Sequence, residues 1–315
     1  MSVRGTIESY FHHFNAGELS KMSASLLKHI DSGGKVFITL AGAMSTAGIG
    51  HLLSQMLREG HVAAISCTGA NLEEDVFRMM ASPHYESIEN WRTLSLEDEQ
   101  DLHNKNMNRV TDVCIPENQA IRVLESHLLE AWKEASENTK RQLPHHFFFD
   151  VLRSESLFNA CEGDTSSSWV LAACEENVPI YVPGWEDSTM GNIFAARSME
   201  GDINSDCVLS GIEYMKHLAT WYEEQTSPLA FLQIGGGIAG DFPICVVPMS
   251  IKISNEMYRC GHGLDKYPNR VHRSEDILVL RQAKKSPGVK SMQQHRCLSL
   301  KAMRPSLPPS CLLTS

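Results

Sequence analysis

Apolar positions in this chain gather into short unbroken runs, and each run empties into small residues. Residues 35–43 read KVFITLAGA, an apolar run closing on Gly42, and residues 44–58 then carry apolar side chains at helical spacing. That order predicts a buried strand, a small-residue loop and a helix. The unit recurs at HVAAISC (61–67), followed by the small polar turn TGAN (68–71) and a helix over 72–80 with acids in its first turn, where the helix dipole favours them. It recurs again in VPIYVPGWEDSTMGNIFAARSM (178–199), where Ser188 and Thr189 offer capping oxygens, and in LAFLQIGGG (229–237). Further helices are predicted over 118–137 and 208–224, around a polar middle at 84–105. Four strands that each open into a small-residue loop predict an α/β protein with a mostly parallel sheet, its strand ends lining one ligand crevice.

The last of these loops carries a recognisable spacing. Gly235-x-Gly237-x-x-Gly240 matches the dinucleotide fingerprint, whose glycines let the backbone turn tightly and approach a pyrophosphate. Pro243 and Pro248 follow closely, so any helix after the loop is expected to be short or kinked.

Composition narrows the function classes. A chain of 315 residues, 42% hydrophobic, can bury a full core. No run approaches the ~18 apolar residues of a spanning helix, and the start lacks a secretory pattern, which excludes a membrane role. Nine cysteines without a C-x-x-C pair point to a reducing cytoplasm and to no metal site. The doublets His12-His13 and His145-His146 are read as packing or surface residues. Charge is split: residues 1–249 carry −18 and residues 250–315 carry +8. An acidic body argues against a nucleic-acid partner and suits a cationic substrate.

Candidate chemistry sits in the loops. Thr68, Gly69 and Ala70 offer backbone N–H groups and a hydroxyl at a helix start, a suitable cradle for dinucleotide oxygens. Glu73 and Glu74 follow, able to hold a ribose hydroxyl or a substrate ammonium. Glu186 and Asp187 stand with Ser188, Thr189 and Asn192 at another strand end, where Trp185 is core, stacking wall or both. Asn108 and Arg109 fall in an expected loop. There is no G-x-S-x-G elbow, no phosphate-binding G-x-x-x-x-G-K-[ST] and no H-E-x-x-H, so hydrolase and nucleotidase readings lose support.

Taken together, ITLAGAMSTAG (38–48), ISCTGANLEEDVF (65–77), MNRVTDVCIPE (107–117), VPIYVPGWEDSTMGN (178–192) and FLQIGGGIAGDFPICVVPM (231–249) resemble the deoxyhypusine synthase family, most closely its bacterial-type branch. The resemblance spans nearly all of residues 1–249. It implies a Rossmann-like, doubly wound sheet with helices on both faces, a homotetramer or an assembly with a paralogue, and NAD near subunit interfaces. It also implies a reaction: NAD takes hydride from spermidine, diaminopropane leaves, and an aminobutyl group passes through an enzyme lysine to an acceptor amine before the hydride returns. By position, Gly42, Ala43, Met44, Ser45, Thr46, Thr68, Gly69, Ala70, Asp187 and Gly236 correspond to NAD contacts. Glu74 corresponds to a contact with both NAD and spermidine, and Glu73 lies beside it on the polyamine.

Three departures modify that expectation. Asn192 replaces an aspartate that meets a substrate ammonium in eukaryotic members, and Asp241 replaces a histidine. Both belong to the bacterial-type branch, so the acceptor is either a protein lysine or a small amine such as putrescine, the latter giving homospermidine. Third, residues 250–315 contain no Phe or Trp and no W-G-K segment with the family's nucleophilic lysine. A frame change near Ser250 is the expected cause, since SIKIS can be encoded by the +1 reading of codons for Leu-Tyr-Gln-Asp-Ile. No other lysine is assigned the role, and an inactive NAD-binding partner subunit is the rival to an enzyme.

Overall fold

Strand β1 (Lys35–Leu40) forms where the sequence offers five consecutive residues that a sheet can bury on both faces, and Val36, Phe37, Ile38, Thr39 and Leu40 are at most 1% exposed. The structure, a computed structural model, describes residues 2–246, 278–281 and 298–299. Two helices, α1 (Val3–Tyr10) and α2 (Phe14–Asp31), precede β1. After it come α3 (Gly50–Arg58), β2 (Val62–Cys67) and α4 (Gly69–Ala81). A small antiparallel sheet of β3 (Glu86–Ser87), β4 (Met107–Val110) and β5 (Val113–Pro116), with α5 (Leu96–Asn104), fills the polar middle. Helices α6 (Arg122–Glu137), α7 (Pro144–Leu152), α8 (Glu155–Ala160) and α9 (Trp169–Glu175) lead to β6 (Ile180–Tyr181). Then follow α10 (Thr189–Glu200), α11 (Gly211–Glu224), β7 (Leu229–Ile234) and a helix over residues 238–246.

The main sheet is parallel throughout, in the order β6-β2-β1-β7, extended by β8 (Leu278–Arg281) and β9 (Leu298–Ser299). This is the α/β parallel sheet that the strand pattern implied, in the Rossmann-like arrangement that the resemblance implied. Register between β1 and β7 is reinforced by Phe37 and Phe231, which face each other across the ladder and stack with ring centroids 4.8 Å apart. The buried member of a histidine doublet, His145, is a packing residue: it meets the Tyr214 hydroxyl through Nδ1 at 3.0 Å, while His12 and His13 are exposed.

Several boundaries differ from the sequence reading. β1 ends at Leu40, and residues 42–49 form successive turns before α3 begins at Gly50, because positive φ at Gly42 (65°) and Gly48 (87°) interrupts a regular helix. The helix expected from 118 opens as a π-helical turn (Glu117–Ile121) before α6, and α11 starts at Gly211 under a Ser210 capping box, not at 208. Asn108 and Arg109 lie in strand β4, not a loop; Arg109 is held by Glu99, with Nε 2.9 Å from Oε1. The division at residue 249 and the tail it delimits lie outside the described residues, apart from β8 and β9.

Pro243 does not end the helix it enters. Proline lacks the N–H that would bond the carbonyl four residues earlier, at Ala239. The Ser66 hydroxyl, completely buried on β2, donates to that carbonyl at 2.7 Å and restores the missing bond. Ser66→Ala is therefore expected to lower the unfolding free energy by about 1–3 kcal/mol. Adding Pro243→Ala, which resupplies the N–H, should recover most of that loss in urea melts; an equal cost in both backgrounds would refute the arrangement.

Candidate functional site

The chain leaves β1 toward β2 and β6 on one side of the sheet, then returns to β7 on the other. In an open parallel sheet the loops at the carboxyl ends part where the strand order reverses, and a ligand crevice opens between them. The loops here form a linked ring. Ala41 N–H donates to Ile234 O at 3.0 Å, and a Cβ at Gly235 (φ 85°) would come within 2.7 Å of Ala41 Cβ, so the first and last loops approach as only glycine permits. Thr68 Oγ1 donates to Gly42 O at 2.7 Å, joining the loops after β1 and β2. A Cβ at Gly69 would lie 2.6 Å from Ser188 Cβ, and one at Gly184 would lie 3.2 Å from Ile238 Cδ1, which brings the loop after β6 against both α4 and the 238–246 helix.

Three consecutive acids on α4 tie it to three neighbouring segments. At about 100° per residue their side chains leave the helix in three directions. Glu73 reaches the start of α10, accepting from Thr189 N–H at 2.9 Å and Met190 N–H at 2.8 Å. Glu74 reaches the first loop and accepts from Thr46 Oγ1 at 2.7 Å. Asp75 reaches the start of α9, accepting from Ser168 Oγ at 2.6 Å and Val170 N–H at 3.0 Å. Burial pushes Glu73 up to about 7 and Asp75 up to about 6, against the lowering effect of their donors, and raises Glu74 as well. A positive charge brought close to them would favour their ionised forms.

The structure thus brings the four loops together, but their side chains differ in access. Gly42, Asp187, Asn192, Gly236 and Asp241 are exposed, and the Asn192 amide donates to Ser188 O at 2.7 Å. Ala43, Met44 and Ala70 are half-buried, while Gly69 is buried. Thr68 caps α4 by accepting from Asn71 N–H. Ser45 and Thr46 point inward: Ser45 is fully buried between Asn71 and Trp169, and Thr46 is held by Glu74. Trp185 is a core residue, 7% exposed and edge-on to Phe194. Asn71, Asp75 and Trp169 were not singled out from sequence; a third acid directly after Glu73 and Glu74 was the available signal. Among the described residues no helix is long and apolar enough to cross a membrane, and no group of three or more His, Cys, Asp or Glu is arranged to hold a metal.

Comparison with known proteins agrees with this geometry. The deoxyhypusine synthase family model matches residues 7–265. A "Probable deoxyhypusine synthase" from Aeropyrum pernix is 25% identical over 242 residues, covering 76% of this chain and 73% of the relative. A "Probable deoxyhypusine synthase 2" from Methanosarcina acetivorans is 25% identical over 210 residues, 66% of this chain and 55% of the relative. A "Deoxyhypusine synthase-like protein" from Cyanothece sp. is 26% identical over 260 residues, 79% and 62%. The chain thus spans between about half and three quarters of the length of these relatives. A crystal structure provisionally assigned as a deoxyhypusine synthase, from Entamoeba histolytica, shares the fold with a TM-score of 0.51 at 11% identity, covering 75% of this chain and 79% of that one. The strand order, the ring of loops and these matches converge: the chain belongs to the deoxyhypusine synthase family.

Proposed function

We propose that this chain binds NAD and spermidine in the crevice above β1, β2 and β7, as part of an NAD-dependent aminobutyl transfer of the deoxyhypusine synthase kind. The observation that carries the reading is the closed ring of glycine-bearing loops over buried carboxylates at the point where the strand order reverses. The residues fit a dinucleotide: among the described residues, chain neighbours aside, nothing lies within 4 Å of where a Cβ would stand at Gly42, Gly236 or Gly237, so their backbone is open to close approach. In this reading the loop of Gly42 to Thr46, held from within by the buried Ser45 and Thr46, binds the dinucleotide together with Thr68 to Ala70 and Gly236, and the start of α4 favours its phosphates. Asp187 takes a ribose hydroxyl. Glu74, with Glu73, Asn192 and Asp241, orients the polyamine by its ammonium groups. Bound NAD would supply the hydride acceptor for the carbon beside the secondary amine.

The acceptor is a protein lysine or a small amine. No W-G-K string occurs anywhere in the 315 residues, and this favours a second reading, in which the chain lends its NAD crevice to a lysine-bearing paralogue in a mixed assembly. Mass spectrometry after incubation with NAD, spermidine and either putrescine or a lysine-bearing acceptor protein distinguishes them. Diaminopropane with an aminobutylated acceptor supports turnover by this chain alone. NAD binding without product, restored by adding the paralogue, supports the mixed assembly; loss of NAD binding in every setting defeats both.

A further inference from the structure

We infer that Asn71 is the positioning residue that holds the loops after β1 and β2 in one fixed arrangement, and that this sets the affinity of the crevice for the phosphate-bearing ligand. Its amide is completely buried and uses both ends. Nδ2 donates to Gly42 O at 2.8 Å and to Thr68 Oγ1 at 2.8 Å, with a longer bond to Leu40 O at 3.3 Å. Oδ1 accepts from Ser45 N–H at 3.0 Å, and the Asn71 carbonyl accepts from Ser45 Oγ at 2.7 Å. Trp169 Nε1, from α9, completes the arrangement by donating to Ser45 Oγ at 2.9 Å. One side chain therefore joins the end of β1, both halves of its loop and the cap of α4.

The consequence for a ligand follows from peptide geometry. Gly42 has φ 65°, and its carbonyl is drawn inward by Asn71 Nδ2 and Thr68 Oγ1. Because the peptide is planar and trans, the N–H of Ala43 points the opposite way, away from Asn71. Fixing the carbonyl thus aims a backbone donor outward before any ligand arrives. Donors held in place need not be ordered on binding, which is the usual source of affinity in phosphate-binding loops. Asparagine alone among similar side chains supplies a donor and an acceptor at this reach; aspartate has the shape but cannot donate.

The functional half of this inference rests on the NAD reading, whereas the structural half does not. Asn71→Asp and the milder Ser45→Ala are compared with the unaltered full chain by amide hydrogen exchange without ligand, then by NAD titration. In Asn71→Asp, exchange at residues 42–48 should quicken by at least about tenfold while the centres of β1 and α6 stay protected, and the NAD dissociation constant should rise by at least about tenfold, as loss of a buried hydrogen-bond network predicts. Ser45→Ala should shift both in the same direction by less. Unchanged exchange in the loop in both variants overturns the inference. Faster loop exchange with unchanged NAD affinity overturns its functional half. If the unaltered chain binds no NAD, the proposed function fails, while the exchange data still decide whether Asn71 holds the loops.

Discussion

Asp75→Ala should reduce the stability of the chain by about 3 kcal/mol, whereas Asp75→Asn should cost under about 1.5 kcal/mol at pH 7. Both oxygen contacts of this buried carboxylate serve the start of α9, through Ser168 Oγ and Val170 N–H. Hydrogen bonds to a charged acceptor contribute about 1.5–3 kcal/mol each, and alanine leaves the Val170 donor buried without a partner. Both donors meet the same oxygen, Oδ2, so the asparagine carbonyl can take that place and accept from Ser168 Oγ and Val170 N–H, and the contact to the start of α9 survives. Linkage gives a second signature. Burial raises Asp75 from 3.8 to about 6 in the folded protein, so folding favours the protonated form. The stabilisation from proton uptake is complete below pH ~4 and is lost as pH rises through about 6. Asp75→Asn removes this contribution, so its stability relative to the parent should improve between pH 4 and 6.5 in urea melts. Equal costs for alanine and asparagine, with no pH dependence, would mean that Asp75 does not cap α9.

How far this was legible in the sequence depends on the range of the interaction. The strands at 35–40, 62–67 and 229–234 were found because buried parallel strands are apolar on both faces and their glycines mark the exits. β6 was expected as a longer apolar run yet pairs over only Ile180 and Tyr181, which lie between Pro179 and Pro183, whose nitrogens have no hydrogen for the ladder. Strand order could not be read, because nothing local states that β7 lies beside β1 instead of beside β6. Pro243 argued for a short or kinked helix, and the compensation came from Ser66, 177 positions earlier by numbering. For the site, the loops were legible through their glycines and acids. The division of labour among Glu73, Glu74 and Asp75 was not, because it depends on which helix starts lie opposite each direction of α4. Asn71 was hidden because TGAN (68–71) read as a polar turn, whereas α4 begins at Gly69 and turns Asn71 inward.

That division of labour makes Glu74 the carboxylate on which polyamine binding should depend most. Glu73 and Asp75 have each committed two contacts to helix starts, whereas Glu74 is tied to the crevice loop through Thr46 and is the least enclosed of the three, at 6% exposure against 3% and 2%. On the proposed function, Glu74→Gln removes one charge-assisted bond to a substrate ammonium and should weaken spermidine binding by about 10- to 100-fold, because such bonds contribute about 1.5–3 kcal/mol. Folding should be little affected, since glutamine still accepts from Thr46 Oγ1. The same chemistry fixes the sign of the pH dependence. Burial raises both Glu73, to about 7, and Glu74, so a fraction of the empty site is protonated near neutrality. An ammonium favours the ionised carboxylates, so binding releases protons and affinity should rise as pH increases from 5.5 to 7.5. Isothermal titration of spermidine in two buffers of different ionisation enthalpy, at pH 5.5, 6.5 and 7.5, measures both quantities. The parent should release protons on binding, and Glu74→Gln should release fewer while binding more weakly at every pH. Affinity that is insensitive to pH and to Glu74→Gln would place the polyamine elsewhere, and with it the chemistry that this crevice is proposed to serve.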